Sequence, residues 1–461
     1  MGLAKPPRTG TLARGAITGL VAARIGLARL GHRLRPPDQD AQAQTLAQAQ
    51  HEAHIGRLLY QALSQLRGTA LKVSQLLSMD ATFLPAAMRL ELARACHQVA
   101  PLNRALVGRV FRSNFGQEPE TLFSSFDPIA FAAASLGQVH RAELAGYGPL
   151  AVKVQYPGIA ATIASDMVLL RTALNSLRQS RFTLPDSTVI DRLLAEIEAT
   201  LRREVDYLQE ARALQWFGQH AAWPGVVIPQ PVLSHTTAQV LTLQHLHGLH
   251  LPDWLQTQPS QSERNRFGQL LFDWFMHCAF ELKHLHADFH PGNILFMAEG
   301  RLGILDFGCT RTLSNAFAHG VLQAWALVLA SPSNARSSGL LKIYRRLGLV
   351  HVGLDELTFA QQLLPALAPM HAWQTQAFTR PVFDFSHKTP PPTPLAEHQR
   401  RVAQHMVGMP GEMPAFERAW MGLMHLLTRM GAQVSTASAC LDEARYTRMA
   451  LTLAAAHDRA G

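Results

Sequence analysis

Within residues 286–308 the chain carries Asp288, then Asn293 five residues later, then Asp306 thirteen residues beyond that, at the end of an apolar run. Carboxylate and carboxamide oxygens in that order suit one kind of chemistry. Phosphoryl transfer from a nucleotide asks little covalent help of a protein. It needs a divalent cation on the phosphates, held by hard oxygen ligands, and a carboxylate beside the incoming nucleophile. Asn293 and Asp306 offer the ligating oxygens, and Asp288 offers the carboxylate.

Several elements must position these groups. The apolar segments 293–296 and 302–305 read as a small hairpin with a ligand at each end. Upstream, Ala132, Ala133, Ala134, Ser135, Gly137 and Gln138 lie in a strand–turn–strand of mostly small residues, whose backbone N–H groups can face phosphate oxygens. Lys153, in Ala-Val-Lys, follows as the phosphate-pairing cation. Alanine restricts the backbone where glycine would flex, so this lid is expected to be stiff. Residues 163–212 read as mainly helical, with Glu210 placed to pair with Lys153 and Asp206 one turn earlier on the same side. Residues 224–231 read as a linker, 238–244 as the last strand of a small lobe and 245–250 as a hinge. An apolar-periodic helix is expected over 262–286, and everything past Arg311 is expected to be helical except the proline-rich loop 378–394.

The 461 residues suffice for one large two-lobed core, and 48% hydrophobic content excludes wholesale disorder. A net charge of +9 points to an anionic partner. Nucleic acid is disfavoured, because basicity is the only support and no aromatic stacking surface accompanies it. Four scattered cysteines show no metal-ligand spacing and fit a reducing compartment. The clusters His245/His247/His250 and His284/His286/His290 lack the acidic or cysteine partners of a zinc framework, and His286 reads instead as a buttress of the catalytic loop.

No uncharged apolar run reaches the roughly 20 residues of a membrane span, and segment 321–330 reads as a core helix. The first 37 residues are basic, with no acidic residue before Asp38. They read either as a cationic, partly amphipathic helix on an anionic bilayer or as a solvated tail. Arginines at 14, 24 and 29 disfavour a signal peptide, and Pro6 disfavours myristoylation.

Taken together, these motifs resemble the UbiB/AarF family of atypical protein-kinase-like proteins, linked to ubiquinone biosynthesis. The resemblance covers roughly residues 50–330. In that family a Lys-x-Gly-Gln signature lies on an N-terminal helical extension, an alanine-rich loop replaces the glycine-rich one, and a Glu-x-Asp motif faces the extension. His-Ala-Asp-x-His-Pro-Gly-Asn replaces the usual catalytic loop. The corresponding residues here are Lys72 and Gln75, with Ser74 in place of the signature glycine, then 132–138, Glu204 and Asp206, and 286–293. The family's ion pair maps onto Lys153 and Glu210, and its metal ligands map onto Asn293 and Asp306. Gln244 stands where a glutamate is frequent near the hinge.

The resemblance implies an α+β, bilobal kinase-like fold: a basic segment (1–41), a helical extension (42–105), a small β-rich lobe with inserted helices (106–245) and a helical lobe (246–461). It implies ATP and Mg²⁺ as cofactors. The nucleotide site would draw on the alanine-rich loop, Lys153, Gln244, Lys72, Gln75, Glu204 and Asp206. The expected partners are ATP or ADP, an anionic membrane surface, and a hydrophobic lipid or quinone precursor, with a homodimer left open. The expected location is cytoplasmic, peripheral on the inner face of the membrane. The leading reading is a lipid-stimulated ATPase serving ubiquinone biosynthesis or lipid homeostasis. A kinase for a small-molecule or protein acceptor and a catalytically silent lipid-binding scaffold are the alternatives.

Overall fold

Val107, Val110 and Phe111 recur at helical spacing and turn one buried face inward, forming α1 (Arg104–Phe115). Asn103 caps its start by accepting the Leu106 N–H, and Gly116, in the left-handed region at φ 71°, ends it. The computed structural model describes residues 103–436, apart from 135, 179–186, 331–332 and 394, together with residues 50, 54, 57, 73 and 91. Lys72, Gln75, Ser135 and the basic segment therefore lie outside the described residues. The chain divides into two compact units, one of residues 1–215 with 230–245, the other of residues 216–229 with 246–461.

In the first unit α1 packs on an antiparallel sheet. β3 (Gly137–Leu144) pairs with β1 (Ser125–Phe126), β2 (Ala132–Ala134) and β4 (Gly148–Gln155), and β4 pairs with β6 (Val240–Gln244). Phe111, Phe123, Phe126, Val152, Val154 and Val240 fill the core between helix and sheet. Three helices follow β4: α2 (Ile159–Arg178), α3 (Ser187–Glu204) and α4 (Tyr207–His220). The helix is interrupted between Glu204 and Tyr207, where Asp206 accepts the Leu208 N–H and the Gln209 side chain. Asp206 is therefore a cap, and it does not share a helix face with Glu210 as the spacing suggested.

Residues 216–229 pack with the second unit. The expected linker contains β5 (Val226–Val227), which runs parallel to β9 (Leu302–Ile304); β9 in turn pairs antiparallel with β8 (Ile294–Phe296). After α5 (Leu251–Gln256), α6 (Gln261–Met276) opens with a reciprocal capping box between Ser260 and Glu263. The expected long helix stops there. One π-helical turn (His277–Glu281) and a left-handed Lys283 at φ 55° lead into β7 (His284–His286), which pairs with β10 (Thr310–Thr312). Helices α7 (Asn315–Leu329), α8 (Asn334–Arg346), α9 (Leu364–Thr375), α10 (Ala396–His405) and α11 (Met413–Met430) complete the unit. The proline-rich loop holds a strand, β11 (Val382–Asp384), paired with β12 (Gln433–Ser435). Among the described residues no helix is long and apolar enough to cross a membrane.

Candidate functional site

In the first unit the site is organised around Lys153. It lies on β4 opposite Val139, and its Nζ donates to both oxygens of Glu210, at 2.9 and 3.2 Å. The two side chains are only 12% and 4% exposed, so this is a buried pair rather than a surface ion pair. Glu210 stands in the first turn of α4, where the helix dipole favours an anion. The Tyr207 ring lies 5.0 Å from the ammonium. Tyr207 went unnoticed in the sequence, although it sits three residues before Glu210 and would share its helix face.

The other small-lobe candidates are distributed unevenly. Ala132, Ala133 and Ala134 form β2 and register against Val139, Gln138 and Gly137, leaving Ala132 and Ala133 exposed. Gln138 is turned away from Lys153: it registers with Val154 while Lys153 registers with Val139, so the pleat puts them on opposite faces. On its own face Gln138 bonds His140 (2.8 Å), whose Nδ1 donates to the Asp127 carbonyl. Carbonyls only accept, so the His140 Nε2 lone pair receives the Gln138 amide hydrogen; burial lowers the histidine's pKa and keeps it neutral. Gln244 is exposed at the end of β6, and Glu204 is buried at the end of α3.

In the second unit the hairpin anticipated from the apolar runs is present, and Leu305 donates to the Asn293 carbonyl at 2.8 Å. Asn293 Nδ2 donates to the Asp288 carbonyl and to Asp288 Oδ2, both at 3.1 Å. That commitment of nitrogen leaves Oδ1 as the atom of Asn293 that could ligate a cation. Asp306 adopts a left-handed backbone at φ 55°, which aspartate tolerates better than most side chains, and its Oδ1 accepts the Gly308 N–H. His286, fully buried, donates from Nε2 to the Asp306 carbonyl (3.0 Å) and the Leu305 carbonyl (3.3 Å). Burial pushes its pKa down, and its Nδ1 has no hydrogen-bond partner among the described residues. It is a neutral brace under the loop that carries Asp306. Loop 286–293 also packs against α11, where a Cβ at Gly422 would lie 2.6 Å from the Phe289 carbonyl. A carboxamide oxygen and a carboxylate form a hard donor set that fits Mg²⁺ and would serve a soft metal poorly.

Comparison with known proteins decides the lineage. The ABC1 atypical kinase-like domain matches residues 94–336, more than half of the sequence. The chain belongs to this family. The ABC1 match is extended by yeast (Saccharomyces cerevisiae) atypical kinase COQ8, mitochondrial, 27% identical over 81% of this chain and 73% of that protein. It is extended again by the probable protein kinase UbiB of Xylella fastidiosa, 28% identical over 65% of this chain and 54% of that one. The chain is thus an atypical kinase-like protein of the UbiB/AarF type, and the matched region spans little more than half of the bacterial relative. Among solved structures, Rv3197 of Mycobacterium tuberculosis, determined in complex with erythromycin, is similar over 88% of this chain and 98% of its own. A TM-score of 0.56 at 22% identity establishes the ABC1 chain's kinase-like α+β fold.

Proposed function

We propose that this protein is a Mg²⁺-dependent ATPase stimulated by lipid, serving ubiquinone or related quinone biosynthesis. The observation that carries the reading is the Asp288–Asn293 bond: one amide holds the carboxylate while keeping its own oxygen for a cation. Lys153, held by Glu210, would neutralise phosphate oxygens, and Asp288 would orient the attacking water. Mg²⁺, when bound, supplies charge neutralisation on the phosphates and on the leaving oxygen. Asn293 Oδ1 and the Asp306 carboxylate would hold it, and His286 keeps the Asp306 backbone in place without adding positive charge.

The alanine-rich strand β2, with one glycine after it, supports a stiff lid suited to water rather than a protein as acceptor. The family resemblance supports the quinone pathway. Peripheral attachment to the inner face of the membrane would use the basic N-terminal segment. The test is ATP turnover with and without Mg²⁺ and anionic vesicles. Metal-dependent turnover that rises with vesicles and disappears in Asp306→Asn is expected; turnover that survives in Asp306→Asn would sink the assignment.

A further inference from the structure

Lysine is a compact charge on a flexible stem, so its usefulness depends on where the ammonium is made to rest. In the first unit Gly137, Val139 and Lys153 share one face of the sheet, by the register of β3 against β4. A Cβ on Gly137 would stand 2.4 Å from the Val154 carbonyl oxygen and 2.8 Å from the Tyr207 hydroxyl. Gly137 is not among the residues with positive φ. Its lack of a side chain therefore provides space rather than conformational freedom. Tyr207 fills that space. It is 1% exposed, its N–H bonds the Ala238 carbonyl at 3.1 Å, and its ring lies 5.0 Å from Lys153 Nζ. Glu210 follows three residues later on the same helix face and takes the ammonium from another side.

We propose that Tyr207 is a positioning residue for Lys153, its ring one wall and Glu210 the other of a seat that Gly137 leaves room for. The proposal rests on the assignment of Lys153 to nucleotide phosphates, and it adds a reason for the glycine that ends the alanine-rich turn. The electron-rich ring face favours the charged amine beside it, and more so in a desolvated site. A phosphate then meets a charge already fixed in place instead of one drawn from many rotamers.

The test measures Lys153 directly and needs no nucleotide. Full-length protein is treated briefly with acetic anhydride, and the rate of acetylation at Lys153 is read by mass spectrometry against the other lysines. Tyr207→Phe, which keeps the ring, is expected to label within about twofold of wild type, and Tyr207→Leu roughly three- to tenfold faster. Since the leucine variant can fail to fold, the ring at 207 is also replaced by phenylalanine carrying two and then five fluorines. These are nearly isosteric, and the rate should climb stepwise as the ring face loses electron density.

A flat fluorine series, or Tyr207→Phe labelling as fast as Tyr207→Leu, overturns the proposal. In the same variants KM for ATP should rise in step with labelling while kcat stays within about twofold. Graded labelling in a protein whose wild type turns over no ATP would uphold the seat and sink the nucleotide assignment, so the two failures are distinguishable.

Discussion

The bonds within each unit hold its polar groups by different means. Around Lys153 a cation is fixed by a countercharge and an aromatic face, in a pair that is almost wholly buried. Around Asp288 and Asp306, a neutral imidazole and a carboxamide of the same unit fix the loop through carbonyls and one carboxylate oxygen. The difference follows from what each region has to offer a ligand. A lysine that is to meet phosphate, as proposed, gains from a countercharge that holds it in place.

Removing the countercharge should have the largest effect. Glu210→Ala leaves Lys153 buried without its pair, which typically costs about 3–5 kcal/mol. Chemical denaturation should show that loss, and the small lobe should open first; an unchanged midpoint would mean the pair is not structural. Asp306→Asn should leave stability close to wild type yet lower turnover at least ~10²–10³-fold, the range for a misplaced charge-stabilising group. Steady-state kinetics at saturating Mg²⁺ would check this. The contrast between a stability defect and a purely catalytic one is what the comparison predicts.

The buried histidines make a pH prediction. Burial holds the folded-state pKa of His286, His140 and His284 below 6.5, and that of His371 at about 4. Below pH 6.5 the unfolded chain takes up protons that the folded chain resists. The stability these groups confer is therefore complete above about pH 6.5 and lost progressively toward the folded values. His371 alone should account for up to about 3 kcal/mol by pH 4. Urea midpoints measured between pH 7.5 and 4 should fall, and His371→Gln should flatten part of the slope. The smallest effect is expected from Asn293→Ala assayed at saturating metal. Loss of the bonds to Asp288 should cost roughly 10–100-fold in kcat, as for other orienting groups around a metal.

The hairpin of β8 and β9 was legible in the sequence because its strands are short apolar runs bounded by Pro-Gly and Glu-Gly. The Lys153–Glu210 pair was legible through the family resemblance, which maps an ion pair onto these two residues; the charge pattern alone also suits a solvated helix face. What could not be read depended on tertiary context. The apolar periodicity through Cys278, Leu282 and Leu285 suits strand and helix alike, and the left-handed Lys283 that separates them leaves no mark in composition. The two-residue strand β5 is too short to announce itself, and it exists because β9 offers an edge. Gln138 looked like part of a phosphate-facing loop; its orientation is set by register, which a single sequence does not print. Asp206 looked like a helix-face residue, and the break after Glu204 made it a cap.

The proposed function requires Lys153 and Asp306 to act on one bound Mg-ATP. Mg-ATP affinity, measured calorimetrically for wild type, Lys153→Met, Asp306→Asn and the double variant, tests it most directly. Two groups acting on one phosphate chain should be coupled, so the double variant should lose clearly less than the sum of the two single losses. Strictly additive losses, or binding indifferent to both changes, would contradict the account.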